Sequence, residues 1–206
     1  MSVRGLLVDL DRTLVDVQSF TDYGAALVDL ETRFGELPSS RVPATYWRSA
    51  TLRAMEVLVA WAGDPRWREA SELVEAHELA AVEASRPMPG VERFVAAIAG
   101  IPTVVVTLMG PAAARAALDR HGIDLPVVGR RVELRPKPAP DQLVAAAELV
   151  GVAVSACTMV GDSSWDHEAA VAAGAGFVGV GSTDFPPGVP VAADLVEALS
   201  LLGFEA

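Results

Sequence analysis

The sequence predicts an α/β protein built on a doubly wound parallel sheet, with an α-helical cap inserted into it, and three features carry that reading. From about Val91 onward, short β-rich runs alternate with helical patterns, the signature of strands joined by helical crossovers. The β-rich runs are continuously apolar rather than alternating, as expected of strands covered by helices on both faces. The stretch from about Val15 to Pro89 has helical periodicity and no convincing strand. Residues 1–15 and 89–206 are therefore expected to form the sheet domain, and residues 16–88 the cap.

The apolar run Val3 to Val8 reads as the first buried strand. In the excursion that follows, Trp47, Ala50, Ala54, Val57, Leu58 and Trp61 recur at helical spacing. Asp64-Pro65 reads as an N-cap followed by proline at the first helical position, opening a helix with Trp67, Ala70, Val74 and Ala81 on one face. The tryptophans are expected to pack in the core of this block. Val15 to Phe20 is the expected outgoing connection and Pro87 to Gly90 the return. Val91 to Ala99 then reads as a helix, Thr103 to Thr107 as a strand, and Pro111 to Arg120 as a helix stopped by Gly122. Pro138 to Val150 is expected to be helical up to Gly151, Cys157 to Val160 a strand, Ser164 to Ala173 a helix ending at Gly174, and Phe177 to Val180 a strand. In Rossmann-like sheets of this kind ligands bind beyond the carboxyl ends of the strands, where Asp9, Thr107 and Asp162 all fall.

Composition excludes several classes. With 206 residues, 51% of them hydrophobic, the chain is long and apolar enough for a real core. A net charge of −11 without a basic cluster argues against nucleic acid, whose phosphates need a basic face, so an anionic substrate must be held by local charge. No apolar run approaches the roughly 18 to 20 residues of a membrane span. The short apolar N-terminal stretch carries Asp9 and Asp11 and has no cleavage pattern, so no signal peptide or membrane segment is expected and a cytoplasmic location is the default. Cys157 stands alone, which forbids an internal disulfide and suits a buried, inert thiol. Nothing in the sequence sets the oligomeric state.

Chemistry concentrates in three places. Asp9-Leu10-Asp11-Arg12-Thr13 puts two carboxylates and a hydroxyl where the first strand surfaces. Gly161-Asp162-Ser163-Ser164-Trp165-Asp166 ends a second apolar run, and Lys137, the only lysine, lies between them in the chain. Carboxylates, a hydroxyl and one ammonium suit phosphoryl transfer. A carboxylate can attack phosphorus and split one difficult displacement into two, provided a cation offsets the repulsion between anions. Mg²⁺ prefers oxygen ligands and takes one or two carboxylates together with water and phosphate, which Asp9 and Asp162 could supply. Lys137 would add a point charge and Thr107 a neutral donor. Asp11, two residues past Asp9, would share its face in an extended strand, placed to protonate a leaving alcohol and later to deprotonate water. Each residue has a plainer reading: a strand-end turn capped by Thr13, a surface lysine, and an N-cap at Asp162.

The ordered set Asp9-x-Asp11-x-Thr13, Thr107, Lys137-Pro138, Asp162 and Asp166 resembles the haloacid dehalogenase (HAD) superfamily of hydrolases, in its phosphoglycolate-phosphatase-like branch with a helical cap after the first strand. The resemblance implies that Asp9 is the nucleophile and Asp11 the general acid/base, that Thr107 and Lys137 hold phosphate, and that Asp162, with Asp9 and Asp11, belongs to a Mg²⁺ site. Asp166 would support that site or pair with Lys137. The implied activity is Mg²⁺-dependent hydrolysis of a small phosphorylated metabolite through an aspartyl-phosphate on Asp9. A sugar phosphomutase, or a catalytically silent module that binds a partner through its cap, are the alternatives. The chain departs from the family pattern at Arg12, where glycine is usual, at Val17, where serine is common, and after Thr107, where Leu108-Met109-Gly110 lacks a small polar residue. Arg12 could clamp an anion, face solvent or obstruct the site. The histidines, His77, His121 and His167, are given no catalytic role.

Overall fold

The computed structural model describes residues 4–182 and 184–204. Six strands form one parallel sheet: β1 (Gly5–Val8), β4 (Thr103–Val106), β5 (Val127–Val128), β6 (Cys157–Gly161), β7 (Gly176–Val180) and β8 (Val191–Ala192). Their order is β5-β4-β1-β6-β7-β8, so β1 lies at the point where the winding reverses, with Leu7 in register with Val104 on one side and Met159 on the other. The period-2 pleat sorts the apolar run of β1 between two cores. Leu6 and Val8 join Val105, Val160 and Val178 against α4 (Val91–Ala97), α5 (Pro111–Arg120) and α8 (Leu195–Leu202). Leu7 joins Val104, Val106 and Met159 against α6 (Asp141–Leu149) and α7 (Ser164–Ala173). This double covering is what the unbroken apolar runs anticipate.

Between β1 and β4 the chain leaves the sheet and forms α1 (Tyr23–Phe34), α2 (Ser49–Ala60) and α3 (Trp67–Ala81). These helices share a core of Leu30, Leu58, Trp61, Trp67 and Val74, into which Trp165 of α7 also packs. Trp67 donates its indole N–H to the Leu58 carbonyl at 3.0 Å, which satisfies its one polar atom inside that core. Trp47 packs against this core from its edge, half-buried, 5.1 Å from the Trp165 ring.

Where no strand is expected, two short ones occur, β2 (Val15–Asp16) and β3 (Arg86–Pro87), paired antiparallel with Val15 opposite Pro87. The outgoing and returning connections run side by side, and the Met88 N–H closes the ribbon on the Leu14 carbonyl at 2.9 Å. The helix expected to open at Pro65 opens at Trp67 instead. Asp64 accepts the Arg66 N–H at 2.8 Å and bonds its guanidinium, so residues 64–66 form a separate turn. Helix α6 starts at Asp141 rather than Pro138, because Pro136 to Ala139 closes its own turn. The last two elements, β8 and α8, carry their own signals in the Asp194 N-cap and the left-handed Gly203 that stops the helix. Among the described residues no helix is long and apolar enough to cross a membrane.

Candidate active site

Asp9 directly follows β1 and is still held by the sheet, since its N–H donates to the Val160 carbonyl of β6 at 2.8 Å. Its carboxylate therefore emerges at the carboxyl edge beside Asp162, which follows β6, and Thr107, which follows β4. Lys137 comes to the same point from the loop before α6. Its Nζ donates to Asp9 Oδ1 at 2.7 Å, to Asp166 Oδ1 at 2.5 Å and to the Val106 carbonyl at 3.0 Å, with the side chain almost wholly buried. Burial alone would push this ammonium down, but Asp166 and Asp9 outweigh it and hold the pKa above the usual lysine value. The lysine is thus a fixed charge.

Local rules place the other acids. Ser163 is the N-cap of α7 and Asp166 its N3 residue, and the two form a capping box: Ser163 Oγ accepts the Asp166 N–H at 3.4 Å, and Asp166 Oδ2 accepts the Ser163 N–H at 3.2 Å and the Ser163 hydroxyl at 2.5 Å. That leaves Asp166 Oδ1 for Lys137. The cap falls on Ser163 rather than on Asp162, whose carboxylate points into the site. Gly161 is required just before it, because a Cβ there would lie 2.6 Å from the Asp166 carboxyl carbon. Gln142 ties the frame together: its amide donates to the Thr107 and Gly129 carbonyls at 2.8 and 3.0 Å, and its oxygen accepts the Lys137 N–H at 3.0 Å. Thr107 Oγ1 accepts the Met109 N–H at 3.1 Å, so its own proton remains available to a ligand.

One oxygen each of Asp9, Asp162 and Asp166 lies within 4.8 Å of the others, a spacing fit for a cation. Asp166 has both oxygens engaged, by Lys137 and by Ser163. Asp9 Oδ2 and Asp162 Oδ1 have no protein donor among the described residues, and two free hard oxygens suit Mg²⁺. Asp11 lies outside this cluster. Its Oδ1 accepts the N–H groups of Val17 and Gln18, both at 2.9 Å, and its side chain lines the same cavity. Asp11 is only partly covered, yet desolvation pushes its pKa up to about 7 against those two hydrogen bonds. A carboxyl in that range is protonated often enough near neutrality to donate.

The cavity above these groups is small and open to solvent, with a volume of about 30 Å³. Trp47, Thr51 and Met55 wall it from the helical block, and Leu108 and Met109 from the loop after β4. Arg12 takes a left-handed backbone (φ 66°), and its guanidinium rests 5.4 Å from the centre of the Tyr46 ring. It is not among the residues lining the cavity and does not obstruct it, and neither do the three histidines line it. Three further residues escape sequence reasoning. Tyr46 donates its hydroxyl to Asp162 Oδ2 from a loop with no periodic signal. Glu78 of α3 and Arg130 pair at 2.6 Å with both side chains fully buried, and charged residues ordinarily read as surface.

Asp162 is held well above the ordinary carboxyl value of 3.8, first by burial and then by the negative charge of Asp9 and Asp166. A group raised in this way destabilises the fold once the unfolded chain ionises, so the penalty is absent below pH 3.8 and grows as pH rises toward the folded value. Asp162→Asn is therefore expected to stabilise the metal-free protein near neutral pH. The gain should vanish toward pH 4 in thermal unfolding, and any rise in Tm on adding Mg²⁺ should be smaller in the variant than in the parent. Equal Mg²⁺-induced shifts in the two proteins would remove Asp162 from the metal site.

Comparison with known proteins places residues 3–174 in a match to the family described as haloacid dehalogenase-like hydrolase. The chain is similar to hexitol phosphatase A of Escherichia coli strain K12, 29% identical over 187 residues that cover 87% of this chain and 84% of that protein. Among solved structures it resembles a hydrolase from Pseudomonas syringae, with a TM-score of 0.71, 20% identity and 97% of each chain covered. It also resembles CbbY from Rhodobacter sphaeroides, solved in complex with phosphate, with a TM-score of 0.68 and 16% identity over 95% of this chain and 96% of that one. At these identities the structural likenesses speak for the fold.

Proposed function

This chain belongs to the haloacid dehalogenase-like hydrolases, and on that premise we propose that it is a phosphatase that cleaves small phosphate monoesters through a covalent phosphoryl group on Asp9. The observation that carries this reading is the position of Lys137, which engages Asp9 Oδ1 and leaves Oδ2 free at the cavity floor. Residues 16–88 act as the cap that excludes bulk water.

The Asp9 carboxylate attacks phosphorus as the bond to the leaving alcohol breaks, and Asp11 gives the departing alcohol oxygen its proton. A water then attacks the phosphorus of the acyl-phosphate, Asp11 takes its proton, and the bond from Asp9 to phosphorus breaks, which regenerates the carboxylate and releases phosphate. The Thr107 hydroxyl donates to an equatorial oxygen, and Lys137, whose three protons go to Asp9, Asp166 and the Val106 carbonyl, supplies a fixed positive charge beside the phosphate. Asp9 and Asp162 would hold Mg²⁺, which supplies positive charge against the phosphate where the site is otherwise crowded with anions. The hexitol phosphatase likeness agrees with this class of reaction.

Asp11→Asn supplies the test. With an aryl phosphate, whose leaving group needs little protonation, the variant should still phosphorylate Asp9 but lose the base for the second half, slowing turnover by about 10²–10⁴-fold. Intact-protein mass spectrometry should then find one added phosphoryl group, removed by hydroxylamine and absent when Asp9 is also changed to Asn. Undiminished turnover with no covalent species would defeat the mechanism.

A further inference from the structure

We infer that the substrate is a phosphate monoester of a small uncharged alcohol, with no carboxylate or second phosphate in the part that leaves. This rests on the phosphatase reading and follows from where the cations of the chain lie.

Four carboxylates line the cavity, those of Asp9, Asp11, Asp162 and Asp166, and Lys137 is the one basic residue among its lining residues. Lys137 is committed to Asp9, Asp166 and the Val106 carbonyl. The arginines of the helical block are spent elsewhere. Arg33 pairs with Glu69, Arg53 with Glu56, and Arg66 with Asp64, while Arg41, Arg48 and Arg68 are exposed and line no part of this cavity. Arg130 is sealed against Glu78, and Arg12 lies on the Tyr46 ring. A second anion on the substrate would thus enter a site already rich in negative charge, lose its water against Trp47, Met55, Leu108 and Met109, and find no cationic side chain beyond Lys137.

An uncharged alcohol meets the opposite conditions. The Thr51 hydroxyl, on α2, and the Gln18 side-chain amide both face the cavity, and neither has a hydrogen-bond partner among the described residues. They offer neutral donors and acceptors for one or two substrate hydroxyls. Trp47 and Met55 beside them cover the carbon skeleton, as amphipathic polyols require.

The test compares kcat/KM for glycerol phosphate and a hexitol monophosphate with that for phosphoglycolate and a sugar bisphosphate, all with Mg²⁺, using an aryl phosphate as reference. The uncharged-alcohol esters should lead the acidic ones by about 10-fold or more. Thr51→Arg, with Met55→Lys as a second variant should the first fail to fold, should shift the ratio toward phosphoglycolate by a similar factor. If the parent protein cleaves the aryl phosphate but prefers an acidic or an ammonium-bearing ester, this inference is overturned and the phosphatase reading stands. If no ester releases phosphate, the phosphatase reading falls and takes this inference with it.

Discussion

Replacing Asp9 by Asn is expected to leave a folded protein that releases phosphate at least about 10⁴-fold more slowly than the parent. The substitution keeps the shape and one oxygen for Lys137 to donate to, but an amide nitrogen replaces the free Oδ2, and an amide is no nucleophile toward phosphorus. Asp166 still holds the lysine at 2.5 Å from its own capping-box position, so the cationic centre keeps its place. The loss should therefore fall on kcat, with Tm little changed. Steady-state phosphate release from an aryl ester and a thermal melt of the same sample decide it. Activity within 10-fold of the parent would assign the attack to another group.

The second large effect lies away from the chemistry. Arg130 donates to Glu78 Oε1 at 2.6 Å, to Ser71 Oγ at 3.1 Å and to the Leu108 carbonyl, and Glu78 Oε2 accepts the Gly110 N–H at 2.8 Å. Helix α3 is thereby fastened to the loop that follows Thr107. Beside it, Glu75 accepts the N–H of Ala112 at 2.6 Å in the first turn of α5, where a free N–H favours an acid, and its side chain packs directly on Gly110, so a Cβ there would displace it. Glu78→Ala leaves a guanidinium buried with no counter-charge, so it should cost about 3–5 kcal/mol and lower Tm by about 10 °C. Glu78→Leu with Arg130→Met removes both charges and should recover much of that stability. The double variant also frees the Leu108 carbonyl and the Gly110 N–H, so its kcat should remain depressed even where its melting is restored. A single variant that melts like the parent would mean the pair is hydrated in solution.

How much of this could be read beforehand depends on whether the signal is local. The sheet strands were legible because burial on both faces leaves an unbroken apolar run, as in Thr103 to Val106. Asp9, Thr107 and Asp162 were legible because strand ends converge on one edge whatever the loops do. The Ser163–Asp166 capping box had a readable spacing, though the motif as a whole drew attention to Asp162 instead. Glu78 and Arg130 were invisible for a physical reason: they are 52 positions apart, and only tertiary packing tells a buried ion pair from two surface charges. Tyr46 reaches Asp162 across 116 positions from an irregular loop. The ribbon of β2 and β3 was hidden because two residues per strand are too few to display a period.

That ribbon has a consequence for how such a chain can change over generations. Both ends of the excursion lie side by side at Val15 and Pro87, so a longer, shorter or unrelated segment can be spliced between them while the strand edge below keeps its register. Selectivity can then diversify by replacement while the reaction is inherited intact. The guanidinium at position 130 restricts that freedom, because any newcomer has to bring an acid of its own to meet it.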